Sequence, residues 1–253
     1  MGRALRANDG GVVYHALNRG NARQTVFAAA AEYEGFLRVF REAQQRVPMR
    51  VIGYCLMPNH WHMVLWPRGD GDLWRFLGWL TLTHTQRWHA AAGSAGSGHL
   101  YQGRFKSFPV QTRRPGAAAR AGGKLEGADA VLSVLRYVER NPLRAALVAR
   151  AQDWPYSSLA ARGQADPPGP WLTLPPAGLA EDWTDLVNQP QSQKELDALR
   201  QCVVRGSPFG PESWVRQIAR RLGLDSTLRP RGRPRKRQEE GSRQEQQGEG
   251  NGS

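Results

Sequence analysis

Apolar and polar positions alternate with two different periods along the first 160 residues, and the switches between them mark out the elements. Val12-Val13-Tyr14-His15-Ala16-Leu17 is dense in β-branched and aromatic residues and runs into Arg19-Gly20-Asn21, a turn signal with a positive charge beside it. A first strand is predicted there. From 30 to 46 the period lengthens: Tyr33, Phe36, Leu37 and Phe40 fall on one helical face, and Pro48 closes the run. Strand spacing returns at 49–57 and 60–66, about a Pro58-Asn59 pair that suits the centre of a tight turn, so a hairpin is expected. In its second strand His60, His62, Val64 and Trp66 share one face and Trp61, Met63 and Leu65 the other. Both faces are apolar enough for a central strand covered on both sides.

A second helix is predicted from a capping Asp72 to about residue 91. Its stripe of Leu73, Phe76, Leu77 and Leu80 continues, unusually for a core helix, into His84, Arg87 and Trp88, so those last turns meet either a charged ligand or solvent. Gly98-His99-Leu100-Tyr101-Gln102-Gly103-Arg104-Phe105-Lys106 interleaves basic and aromatic residues before another alternating strand, a composition that suits single-stranded nucleic acid. Residues 128–140 form the next helix, with Val131, Val134, Leu135 and Val138 on its apolar stripe and Tyr137 at the edge. Asn141 follows Tyr137 by four positions, which at ~100° per residue points the two side chains within about 40° of each other. Pro142 makes Asn141 the expected helix end.

Beyond Trp154-Pro155-Tyr156-Ser157-Ser158 the pattern thins. Six prolines between 161 and 190 read as a linker, residues 193–205 and 211–222 as two short helices, and the tail from 225 as disordered. The two helices form either a helix-turn-helix or a hairpin packed on the main domain.

Charge changes the picture most. Against 22 acidic residues stand 35 basic ones, a net charge of +13, which calls for a polyanionic partner, nucleic acid before a membrane surface. Two cysteines are too few for a disulfide framework, no signal-like apolar stretch opens the chain, and no membrane span follows, so a cytoplasmic setting is expected. His60 and His62, projecting in parallel from one strand, can converge on a divalent cation and leave positions open for substrate oxygens; two ordinary strand histidines are the plain alternative.

Taken together, Met57-Pro58-Asn59-His60-Trp61-His62, the stretch from Gly98 to Lys106, and Arg136-Tyr137-Val138-Glu139-Arg140-Asn141-Pro142-Leu143-Arg144-Ala145 resemble the REP-associated tyrosine transposases, a branch of the His-hydrophobic-His endonucleases. The resemblance covers roughly residues 1–160. It implies an α+β fold, an antiparallel sheet with helices packed on it in a ferredoxin-like or RRM-like core, after which the residues' own pattern reads as a small helical segment at 191–224. It also implies an enzyme that cleaves and rejoins single-stranded DNA at hairpin-forming repeats. On this resemblance Tyr137 is the nucleophile that forms a 5′-phosphotyrosine, and His60, His62 and Asn141 hold Mg2+ or Mn2+. Generating a phenolate from an ordinary phenol at neutral pH costs roughly 4 kcal/mol, which a metal-polarised phosphate would offset. Arg19, Arg87, His99, Tyr101, Arg104 and Lys106 are the expected DNA contacts.

Two stretches depart from the pattern or add to it. Residues 112–127 form a basic, small-residue insert of linker composition where related chains pass quickly to the tyrosine helix. The tail carries Arg231-Gly232-Arg233-Pro234, which looks like an AT-hook core that would reach A/T-rich duplex through the minor groove. A non-catalytic DNA-binding descendant is the alternative to the enzyme.

Overall fold

Strand alternation and helical periodicity give four strands and nine helices in a computed structural model that describes residues 7–96, 98–112, 129–164, 166–167 and 169–229. The strands are β1 (Val13–Arg19), β2 (Met49–Met57), β3 (His60–Pro67) and β4 (Lys106–Val110). The longer helices are α1 (Ala30–Arg46), α2 (Asp72–Ala91) and α3 (Ala130–Glu139); α4 (Asn141–Arg144), α5 (Ser158–Ala161) and α6 (Trp183–Asn188) are short; α7 (Gln193–Arg205), α8 (Glu212–Arg221) and α9 (Asp225–Leu228) follow. All strands pair antiparallel in one sheet of order β2-β3-β1-β4, which puts β3 at the centre as its two apolar faces require.

The two faces bury different helices. Trp61, Met63 and Leu65 pack with Phe36 and Phe40 of α1 and Phe76 and Leu77 of α2, while Val13, Val64 and Phe108 pack with Val131, Val134, Leu135 and Val138 of α3. β1 runs further than its apolar core, through Asn18 and Arg19, because Arg19 still pairs with His60 at the head of the hairpin.

Several ends differ from expectation. Asp72 does not cap α2: Gly71, left-handed at φ 83°, occupies the cap, and the Asp72 carboxylate accepts the Gly69 N–H at 2.7 Å from inside the first turn. At α3 Asp129 caps, accepting the Val131 N–H at 2.9 Å; the expected start at 128 lies outside the described residues. Asn141 does not end the helix, because the chain bends at Arg140 and resumes as α4, with Pro142 in the first turn where its missing N–H costs nothing.

The proline-rich stretch is a strap rather than a free linker. Proline cannot supply ladder N–H groups, but Thr173 donates to the Val51 carbonyl at 2.7 Å along the outer edge of β2, and Arg41 Nε donates to the Gly169 carbonyl at 2.7 Å. At the opposite edge Phe209 donates to the Pro109 carbonyl of β4 at 2.9 Å, so the α7–α8 pair packs on the main domain.

The helix that carries Tyr137 is held from its last turn. Glu139 is fully buried; its carboxylate accepts from Ser158 Oγ at 2.5 Å and Trp183 Nε1 at 2.7 Å, and pairs with Arg162 at 3.3 Å. Ser158 Oγ in turn accepts the Tyr54 N–H of β2 at 2.9 Å. The helix also comes so close to β2 that a Cβ on Gly53 would lie 2.2 Å from Leu135 Cδ1. Glu139→Ala takes the acceptor from Trp183 Nε1 and the charge partner from Arg162, which keeps its bond to the Ile52 carbonyl, and is expected to lower the unfolding free energy by about 3 kcal/mol in urea titrations. Gly53→Ala, which forces Leu135 and α3 outward, should cost about 1–3 kcal/mol in the same assay.

Candidate active site

Antiparallel register decides which side chains meet on the α3 face of the sheet. Arg19 pairs with His60 and Leu17 with His62, and directly opposed residues share a face, so Arg19, His15, His60 and His62 all project toward α3. His62 lies diagonally across from His15, whose Nε2 is 2.9 Å from His62 Nδ1 with the rings stacked at 5.0 Å. The His60 ring stands edge-on to that of His62 with centroids 5.0 Å apart, and its Nδ1 is 2.6 Å from Asn59 Oδ1.

From the other side α3 delivers Tyr137. Its ring meets that of His62 edge-on at 6.0 Å and that of His15 at 6.3 Å. The bend at Arg140 keeps the next residues on the same side: the guanidinium of Arg144 lies over the Tyr137 ring at 4.2 Å from its centroid and donates to the Asn141 side-chain oxygen. Asn141 Nδ2, Arg144 Nη1 and Arg19 Nε are shielded from solvent and have no hydrogen-bond partner among the described residues.

The electrostatics are one-signed. Burial first, then the charges of Arg19 and Arg144, push His60 down to about 4. Burial, His60, His15 and the same two arginines hold His62 well below the ordinary histidine range, and burial alone takes His15 to about 3. All three imidazoles are therefore neutral at pH 7, the form that ligates metals. Asn59 Oδ1 can only accept, so His60 carries its proton on Nδ1 and offers Nε2. His62 Nδ1 and His15 Nε2 share one proton, and in the tautomer where His62 donates its Nε2 is free in the same way. Among the described residues no group of three or more His, Cys, Asp or Glu side chains could hold a metal, so two imidazole nitrogens are the donors this site supplies. The Asn141 oxygen is engaged by Arg144 and is available to a cation only if that bond is given up.

The structure thus brings His60, His62, Tyr137, Asn141 and Arg19 together. The other expected DNA contacts are scattered. His99, Arg104 and Lys106 are exposed, and the segment carrying the first two is tied to the rim of the site by Asn21 N–H to Leu100 O at 2.8 Å and Gln102 N–H to Arg19 O at 2.9 Å. Arg87 is already paired with Glu42 at 2.7–2.8 Å on the opposite face of the sheet. Tyr101 is buried, accepting from Trp61 Nε1 at 3.2 Å and donating to His84 Nδ1 at 2.8 Å, so its ring is not offered to a base and His84 faces the core rather than a ligand. Arg231 and Arg233, like most of the insert, lie outside the described residues.

Sequence reasoning missed His15 and Arg144. Arg144 is seven positions after Tyr137, two helical turns less about 20°, and that spacing was a readable signal. His15 had none, since strand order is not written in a strand's own period.

Residues 10–119 match the family model described as transposase, IS200-like. The matched span includes both histidines and stops before Tyr137. Comparison with curated proteins finds no match. Among solved structures, a REP-associated tyrosine transposase bound to a REP hairpin is similar with 18% identity over 71% of this chain and 98% of its own, at a TM-score of 0.45. A transposase candidate from Deinococcus radiodurans R1 is similar with 16% identity over 44% of this chain and 85% of its own, at a TM-score of 0.34. No helix among the described residues is long and apolar enough to cross a membrane.

Neutral, buried histidines make stability depend on pH. His15 and His84 both sit at about 3 in the folded chain, so below pH 6.5 the unfolded chain binds protons that the folded one refuses, and stability falls with pH. Between pH 6.5 and 5, above the range of ordinary carboxylates, each should cost about 2 kcal/mol by pH 5. Urea titrations across that window should show the fall, and His84→Gln should flatten it; an unchanged slope in that variant would contradict the burial of a neutral imidazole there.

Proposed function

We propose that the chain, whose residues 10–119 match the IS200-like transposase family model, cleaves and rejoins single-stranded DNA at hairpin-forming repeats with Tyr137 as nucleophile. The observation that carries this reading is the meeting of Tyr137 with His62 at 6.0 Å, across elements that only the fold brings together. The net charge of +13 and the exposed His99, Arg104 and Lys106 at the rim support a polyanionic substrate.

In this mechanism the Tyr137 oxygen attacks the scissile phosphorus, a P–O(Tyr) bond forms as the P–O3′ bond breaks, and the phenol proton leaves while the 3′-oxygen gains one. The products are a 5′-phosphotyrosine and a free 3′-hydroxyl, and attack by another 3′-hydroxyl reverses the step. Because the bond energy is retained in the covalent link, joining needs no other energy source. His60 Nε2 and His62 Nε2 would hold Mg2+ or Mn2+, with Asn141 as a third ligand once its oxygen is released. Such an ion, when bound, polarises a non-bridging phosphate oxygen. His15 acts by holding the His62 ring against its own.

Purified protein incubated with labelled single strands carrying hairpin-forming repeats of its own genome should yield a covalent adduct on denaturing gels with Mg2+ or Mn2+, and none with EDTA. Tyr137→Phe should abolish it and His62→Ala should reduce it by about 100-fold or more. An adduct that survives in Tyr137→Phe would sink the assignment; DNA binding with no adduct in any metal would favour a non-catalytic DNA-binding protein. In Mn2+ titrations of the DNA-bound protein, His15→Phe should weaken the metal by about 10–100-fold.

A further inference from the structure

We propose that Arg144 is a catalytic residue of this site, its Nη1 donating to a non-bridging oxygen of the scissile phosphate while its guanidinium plane stays stacked on Tyr137. The inference rests on Tyr137 as nucleophile and deepens that reading by assigning the group that holds the phosphate against it.

Four observations converge on Arg144. Its guanidinium lies 4.2 Å from the centroid of the Tyr137 ring, so whatever it binds is held beside the phenol. One arm is already committed: Nη2 donates to Asn141 Oδ1 and lies 3.5 Å from the Tyr137 carbonyl oxygen, which fixes the plane of the fork. The other arm is not committed, since Nη1 is shielded from solvent and has no partner among the described residues. No ion pair among the described residues involves Arg144, although its charge reaches both His60 and His62.

A guanidinium placed this way is costly unless an anion completes it. Two further donors are left in the same condition, Asn141 Nδ2 on the same turn and Arg19 Nε on the strand residue that pairs with His60. Three unpartnered donors from α4 and β1, around two neutral imidazoles and a phenol, describe a site for a single phosphodiester. The planar fork suits phosphate better than a lysine would, because one arm can hold the amide while the other holds the oxygen. Arg144 transfers no proton. It neutralises charge on the phosphoryl oxygens as the P–O(Tyr) bond forms and P–O3′ breaks, a contribution made in full only where that charge develops.

The test uses the full chain carrying Tyr137→Phe, which cannot react, and a set of hairpin oligonucleotides in which each linkage in turn is a methylphosphonate. Affinity should drop at one linkage, at least tenfold, and the drop should shrink when Arg144→Gln is added, because one of the phosphate's partners is then already gone while Arg19, Asn141 and any bound ion remain. With Tyr137 intact, Arg144→Gln should slow adduct formation on the unmodified strand by about 100–1000-fold. Melting curves establish that the variant is folded; if it is not, Arg144→Met carries the same scan. An interference pattern identical with and without Arg144 overturns the proposal, as does adduct formation at the wild-type rate in Arg144→Gln. An adduct that persists in Tyr137→Phe would instead sink the underlying reading, while the binding scan would still report on the contact.

Discussion

A carboxylate with no access to solvent decides where the tyrosine helix stands. Glu139 lies two residues from Tyr137 and points away from it, into donors supplied by Ser158, Arg162 and Trp183. Ser158 is itself bonded to the backbone of Tyr54, and Arg162 to the carbonyl of Ile52, so the last turn of α3 is tied to β2 through residues whose bonds to Glu139 are lost if the helix slides. A buried charge of this kind is not cheap stability, since burying the ion costs much of what its partners return. What it supplies is register. With Glu139 fixed and Gly53 letting Leu135 sit against the strand, Tyr137 has one way to face the histidines.

Among the described residues, the site that results holds cations and neutral donors but no acid. Imidazoles held neutral by burial, an amide, and two guanidiniums without a carboxylate make a surface whose missing component is negative. A divalent ion placed there alone would face Arg19 and Arg144 with nothing to offset the repulsion. On the proposed function a phosphodiester would supply the offset, so that metal and DNA would favour each other's binding and the buried donors around Tyr137 would be satisfied in the same event.

Much of this was legible along the chain. The bounds of α1, β2 and α7 follow from period and punctuation, because an apolar stripe and a proline are local signals, and Ser192 caps α7 from the position just before its expected start. Tyr137 and Asn141 could be placed on one side of a helix by spacing alone. What failed was whatever depends on tertiary neighbours. Tyr101 reads as a stacking ring because its sequence neighbours are basic, yet its hydroxyl sits between Trp61 and His84 in the core. Arg87 reads as a ligand contact, yet α1 brings Glu42 to it. The proline-rich stretch reads as a linker because composition cannot reveal that Leu172 and Thr173 will find the open edge of β2. His15 lacked a role because nothing in its own strand says that β1 lies beside β3.

The same reasoning bears on the stretch between β4 and α3, where the sequence departs from the pattern it otherwise resembles. If α3 were positioned by the chain that leads into it, extra residues there would displace Tyr137. Among the described residues, β2, α5 and α6 supply contacts that place the helix, and Asp129 caps it locally. Lengthening a connection whose two ends are already anchored costs on the order of 0.6 kcal/mol for each doubling, small against the burial of Val131, Val134, Leu135 and Val138 on the sheet. Among the described residues, the geometry of Tyr137 is tied to β2 through Glu139.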